Sequence, residues 1–130
     1  MKPTILVPLF LAAAISMVVA ACSSASAPAQ PTGKQLYDMS CAACHGLTGQ
    51  GSTFTRKGQT IKVPALLWSD LKTAYSKDPS RGTVDQQVSE AITKGLDEEG
   101  KPLNPMMPRW VSLSKPQVDS LISYLKTSFK

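Results

Sequence analysis

The sequence predicts an all-α domain with long loops, and three observations carry that expectation. Three segments open with the same helix-starting chemistry, Thr32-Gly-Lys-Gln35, Thr83-Val-Asp-Gln86 and Ser114-Lys-Pro-Gln117. In each, a hydroxyl can satisfy an early backbone N–H while a glutamine three residues on reaches back to the cap. Apolar residues then recur at helical spacing, whereas strand-like alternation is scarce. The stretches between are rich in glycine and proline, which end helices and make turns.

Taken in order, the first helix is expected from about Gly33 to the first cysteine of the folded part, with Leu36, Tyr37 and Ser40 near one face. A short helix after Ser69 carries Leu71, Ala74 and Tyr75. The next presents Val84, Val88, Ala91 and Ile92 and stops at Gly95, a residue suited to a left-handed terminus. The last places Val118, Leu121, Ile122 and Leu125 at i, i+3, i+4 and i+7, an amphipathic stripe. Its Pro116 falls in the first turn, where a missing N–H does no harm. The segments Gly46–Pro64 and Gly95–Pro108 are expected as loops, and Asp97–Lys101 as a solvated turn that lacks the ligand alternation of a calcium loop.

The 130 residues hold one small domain once the start of the chain is set aside. Residues 1–21 have a basic residue, an apolar core and a run of small residues, the layout of a secretory signal. Val19–Cys22, "VAAC", resembles the lipobox of bacterial lipoproteins, in which cleavage leaves Cys22 as a lipid-modified N-terminus. An unpaired thiol is the alternative for Cys22. A lipidated cysteine carries more than one acyl chain, which stable anchoring requires. Ser23–Pro31 has no aromatic or charged residue and reads, within a segment 22–32, as a flexible tether. The folded domain is then 33–130, extracytoplasmic (periplasmic or on the outer cell face) and lipid-anchored to a membrane.

Formal net charge is +5, or +4 without Lys2. The charges are interspersed with no basic run, so nucleic-acid binding is not indicated. A domain of just under a hundred residues has a thin core and gains from a buried cofactor, against which long loops can pack.

The chemistry concentrates in "DMSCAACHGLTGQG", Asp38–Gly51, which contains the only histidine. Cys-x-x-Cys-His is the attachment signature of c-type haem. Cys41 and Cys44 would form thioethers with the porphyrin vinyl groups, and His45 would be the proximal ligand to iron. Three other readings compete. A thioredoxin-like dithiol normally sits in a strand–helix alternation that is missing here. Structural zinc needs a fourth ligand, and the folded part has no further histidine or cysteine. A plain disulfide is the third. With His45 alone, a second axial ligand must be another residue type, and methionine is the usual one. Met39 lies two residues before Cys41, while Met106 and Met107 lie about sixty residues on, stiffened by Pro105 and Pro108.

These features together resemble a class I (monohaem) cytochrome c, over nearly everything from Gly33 onward. The motifs are "GKQLYDMSCAACHG", "VPAL", "MPRW" and "LSKPQVDSLISYL". The resemblance implies the cytochrome c fold, with four or five helices and long loops around one covalent haem c. It implies Met107, directly before Pro108, as the second axial ligand, with Met106 the alternative. It further implies that Pro64 offers its carbonyl to the proximal histidine, and that Gly33 and Tyr37 of the first helix meet Leu121 and Tyr124 of the last. Trp68, Trp110 and Arg56 are candidates for the haem propionates, with ordinary core or surface positions as the equal alternative.

With both axial positions filled, no substrate reaches the iron, so the expectation is one-electron transfer and not catalysis. The protein is then a monomeric, membrane-tethered carrier between respiratory or photosynthetic complexes, such as a quinol-oxidising complex, a terminal oxidase or a reaction centre. The competing functions are a haem subunit held permanently in a larger oxidoreductase, and a haem enzyme or gas sensor with a displaceable methionine.

Overall fold

The computed structural model describes residues 29–130; the expected signal, the expected lipidation at Cys22 and most of the expected tether lie outside the described residues. Among the described residues five helices follow one another: α1 Gly33–Ser40, α2 Ala42–His45, α3 Trp68–Tyr75, α4 Val84–Lys94 and α5 Lys115–Ser128. A 3-10 turn, Pro79–Arg81, precedes α4.

The helix starts follow from their caps. Thr32 accepts from the Gln35 N–H while Gln35 Oε1 accepts from the Thr32 N–H at 2.8 Å. Thr83 and Gln86 repeat the arrangement, with 2.7 Å for the return bond. At α5, Gln117 Oε1 accepts from the Ser114 N–H at 2.8 Å. Each cap satisfies donors that the first helical turn leaves free. The α4 helix ends at Gly95 with φ +69°, a left-handed position that a side chain would strain. The helix expected after Ser69 begins two residues earlier, at Trp68, with Leu67 as its extended cap.

One expectation is corrected. Gly46–Pro64 is not all loop, because Ser52–Arg56 (β1) and Gln59–Val63 (β2) pair antiparallel, with Phe54 opposite Ile61. Lys57 and Gly58 form the two-residue turn with φ +50° and +76°, the left-handed pairing that matches the twist of a hairpin. Phe54, Ile61 and Val63 share the half-buried face, and the rest of the hairpin is exposed. With so few apolar residues, local strand pairing does what a core cannot.

The core lies where α1, α4 and α5 meet. Leu36 and Tyr37 pack with Val88, Ala91 and Ile92 and with the whole expected stripe Val118, Leu121, Ile122 and Leu125, all buried. Gly33 permits the close crossing of α1 and α5: a Cβ there would collide with the Ser120 carbonyl and approach Tyr124 Cβ to 2.9 Å. Tyr37, Tyr124 and Phe129 stack pairwise, with ring centroids 4.8–5.6 Å apart. Phe129 also fastens the chain end, because its carbonyl accepts from the Trp68 N–H at 2.6 Å and its ring lies against Gly49. No helix among the described residues is long and apolar enough to cross a membrane.

Candidate functional site

The α1 helix stops at Cys41, whose N–H still donates to the Tyr37 carbonyl at 2.8 Å. A new short helix, α2, then begins at once and carries Cys44 and His45. The break sets Cys41 half-buried and Cys44 exposed, with His45 buried between α2 and the chain that follows the hairpin. The two sulfurs therefore face different surroundings. Burial pushes the Cys41 thiol up to about 11, with the neighbouring Cys44 adding to the rise. A redox dithiol needs the reverse, a thiol whose pKa is lowered so that the thiolate can attack. The dithiol reading is disfavoured on this ground.

His45 is held by one bond of defined sense. Its Nδ1 lies 3.0 Å from the Pro64 carbonyl, which can only accept, so the proton belongs on Nδ1 and the lone pair on Nε2. Burial lowers the His45 pKa below 6.5, and the Pro64 hydrogen bond partly opposes that shift. A neutral imidazole with a free Nε2 is the form that binds a transition metal, and the bond to a carbonyl orients the ring and strengthens the ligand. The surrounding backbone is closely tied. Gly51 N–H donates to the His45 carbonyl at 2.8 Å, Leu66 N–H to Gly49 at 2.7 Å, and Ser52 Oγ–H to Cys44 at 2.6 Å. Tyr37, wholly buried, donates its hydroxyl to the Gly46 carbonyl at 2.6 Å, and burial raises its pKa to about 12.

A mainly apolar cavity of ≈ 280 Å³ opens beside this assembly. Cys41, His45 and Pro64 line it from the α2 side, α4 and α5 add Ile92 and Leu121, and Met107 reaches it from the loop before α5. Met106 is not part of the lining. Met39 is 80% exposed, on α1. The cavity thus brings together a thiol, an imidazole lone pair and a thioether within apolar walls. That donor set fits a covalently attached haem, whose apolar face needs burial and whose iron takes nitrogen and sulfur ligands. Among the described residues no cluster of three or more His, Cys, Asp and Glu could hold a metal ion by itself.

The three propionate candidates do not line the cavity. Trp68 packs against the core with Lys126 Nζ 5.1 Å from its ring centroid. Trp110 donates its backbone N–H to Ile92, and Arg56 is exposed at the end of β1. The polar lining consists instead of Asp70, Tyr75 and Glu98. Tyr75 is legible only as part of the apolar face of α3 and Glu98 only as part of the turn Asp97–Lys101 expected to be solvated, and no motif marks Asp70. The Tyr75 hydroxyl pKa rises to about 12, mainly through burial, with the negative charge of Glu98 and Asp97 adding to it.

Comparison with known proteins agrees with this geometry. The family model for cytochrome c matches residues 31–129. Among characterised relatives, cytochrome c-554(547) of Halothiobacillus neapolitanus is 33% identical over 96 residues, which is 73% of this chain and 91% of that protein. No solved structure matches the chain.

Proposed function

The chain belongs to the cytochrome c family and binds covalent haem c through the Cys41–Cys44 pair, and from that premise we propose a class I monohaem carrier with His45 and Met107 on the iron. The observation that carries this reading is the shared cavity. His45, with its proton committed to Pro64, and Met107, from a segment about sixty residues later in the chain, both line it, while Met106 does not.

When bound, haem supplies a one-electron Fe(III)/Fe(II) couple whose potential depends on axial ligands, hydrogen bonding and burial. The protein's own residues do the rest. Cys41 and Cys44 hold the porphyrin covalently. Pro64 keeps the His45 ring in one orientation, and the apolar walls from α4 and α5 keep water away. With Met107 in place no position remains for a substrate, so we read the protein as an electron carrier and not an enzyme. The start of the chain supports a lipoprotein, anchored through Cys22 outside the cytoplasm. A tether of this kind raises the effective concentration of the domain near membrane redox complexes. Those complexes, quinol-oxidising, terminal oxidase or reaction-centre, are the proposed partners of a monomeric shuttle.

The test is an absorption spectrum of the haem-loaded protein, oxidised and reduced, beside Met107→Ala and Met106→Ala. The expected result is the weak far-red band of methionine–Fe(III) ligation in the parent and in Met106→Ala, and its loss in Met107→Ala. A high-spin parent, or ready binding of carbon monoxide by its reduced form, would overturn the carrier in favour of a sensor or enzyme.

A further inference from the structure

The turn Asp97–Lys101, which the sequence marks as solvated, gives one carboxylate to the haem cavity. Glu98 is half-buried and lines that cavity together with His45 and Met107. Asp97 pins the turn around it. Its Oδ1 accepts from the Glu99 N–H at 2.9 Å and from the Lys101 N–H at 2.8 Å, and its own N–H donates to the Lys101 carbonyl at 2.8 Å. The Asp97 carbonyl accepts from the Gly100 N–H at 3.0 Å and from Arg81 Nη1 at 2.9 Å. Gly100 closes the turn at φ +78°. A backbone tied at this many points fixes which of two consecutive acids turns inward. Glu98 lines the cavity, whereas Glu99 is exposed and paired with Lys101.

The charge around Glu98 is not balanced. It enters no ion pair among the described residues, and no lysine or arginine lines the cavity. The groups sharing the wall with it are the Tyr75 hydroxyl and the Asp70 carboxylate from α3, and Cys41 and His45 from the opposite side. Its negative charge is felt at Tyr75, whose hydroxyl pKa it helps to raise. Arg81 acts on Tyr75 in the opposite sense, but its guanidinium is committed to the Asp97 carbonyl and to Glu90. Loss of an electron from haem iron adds one positive charge to a group held in this cavity. A fixed negative charge in an apolar wall favours that oxidised form, and it does so more strongly than a charge surrounded by water.

We infer that Glu98 is a potential-setting residue, whose carboxylate stabilises the oxidised haem and holds the reduction potential below the value that the axial ligands alone would give; this rests on the electron-carrier reading above. Asp70 lines the same cavity but is exposed, so water weakens its field and Glu98 carries the larger share.

The test is a spectroscopic redox titration of the full haem-loaded chain at neutral pH and low ionic strength, with dissolved mediators. The parent is compared with Glu98→Gln, Glu98→Asp and Glu99→Gln, each haem taking up one electron. At the applied potential that leaves the parent half reduced, the ratio of reduced to oxidised haem is expected to rise about three- to tenfold in Glu98→Gln. Tenfold corresponds to about 59 mV for a one-electron couple. Glu99→Gln removes the same charge one residue on and should change the ratio less than about 1.5-fold. Glu98→Asp keeps the charge and should recover most of the difference. The far-red methionine band should be the same in all four proteins. A Glu98→Gln ratio equal to the parent's, or one matched by Glu99→Gln or by Glu98→Asp, would overturn the assignment. Loss of the band in Glu98→Gln would also overturn it, by tracing the change to the ligand loop and not to charge. A parent with high-spin iron, or without a reversible one-electron couple, would overturn the carrier reading itself.

Discussion

The cavity wall that carries His45 and the loop that carries Met107 are built by different means. The His45 segment is short and closely tied: within Cys41–Leu66 the carbonyls of Cys44, His45, Gly46, Gly49 and Pro64 each accept a hydrogen bond. It rests on the α1–α5 crossing, the most extensive helix–helix contact among the described residues. The Met107 loop instead spans Gly95 to Ser114 and is fastened near its ends. Leu103 N–H donates to Gly95 at 2.8 Å and Trp110 N–H to Ile92 at 3.0 Å, while Arg81 donates to the Asp97 carbonyl at 2.9 Å. Around the methionine itself, Asn104 organises the turn, accepting from Met107 N–H at 2.9 Å and, through Oδ1, from Met106 N–H at 3.0 Å. His45 is thus part of a packed body, whereas Met107 hangs from a loop closed by its ends. The physical lesson is that the two should fail separately, the first with global unfolding and the second by local opening.

The greatest loss should come on the packed side. Gly33→Ala forces a methyl into the Ser120 carbonyl, and because backbone cannot swing away, the holoprotein should lose about 3 kcal/mol of unfolding free energy. Guanidinium unfolding measures it; an unchanged midpoint would mean that the helix crossing relaxes freely and that this side is not rigid.

Tyr37→Phe is the next. It removes the donor to Gly46, a carbonyl that also accepts from Gly49 N–H at 3.2 Å, so the loss is partial and about 1.5 kcal/mol. If the two sides are independent, the far-red methionine band should be unchanged in this variant. Its disappearance would join the two sides and break the contrast.

Asn104→Ala should produce the complementary pattern. Loss of the side-chain acceptor for Met106 is worth about 1 kcal/mol locally, so amide exchange at Met106 and Met107 should speed up about fivefold with little change in the global midpoint. A global loss as large as that of Gly33→Ala would show the loop to be part of the core.

The smallest effect lies where α4 meets the loop. The hydrogen bond from Lys94 is the main cause that holds the Glu90 carboxyl below its usual 4.5, with Arg81 contributing. A depressed carboxyl stabilises the fold above its unfolded-state value, and that contribution fades as pH falls through the lower folded value. Glu90 is substantially solvated, so Glu90→Gln should cost less than about 1 kcal/mol at neutral pH. Its thermal midpoint should converge with the parent's as pH falls through the carboxyl's lowered folded-state range. A difference that persists at low pH would assign the effect to packing and not to charge.

Much of the fold can be read directly from the chain, because helices are local objects. The caps Thr32, Thr83 and Ser114, the stop at Gly95 and the stripe from Val118 to Leu125 each depend on residues three or four positions apart. The hairpin was missed for a related reason. Phe54, Ile61 and Val63 do alternate, but β1 has one apolar residue, and Lys-Gly is a weaker turn signal than Asn-Gly or Asp-Gly. Pairing of Ser52–Arg56 with Gln59–Val63 stabilises strands that neither segment advertises alone.

The attachment chemistry is legible in the chain alone, since Cys41, Cys44 and His45 lie within five residues and their spacing survives any folding of the rest. The chain also limits the axial partner, because no second histidine exists. Which distant residues line the cavity beside Cys41 and His45 depends on how the helices pack. Met107 and not Met106 lines the cavity, the Pro64 carbonyl accepts the hydrogen bond from His45 Nδ1–H, and Asp70, Tyr75 and Glu98 add polar lining that Trp68, Trp110 and Arg56 do not. Those choices depend on how α3, α4 and α5 cross and on which way a loop turns between two fastened ends. Neighbouring methionines differ in direction by their backbone alone, and a sequence pattern has no means of registering that before the chain has packed.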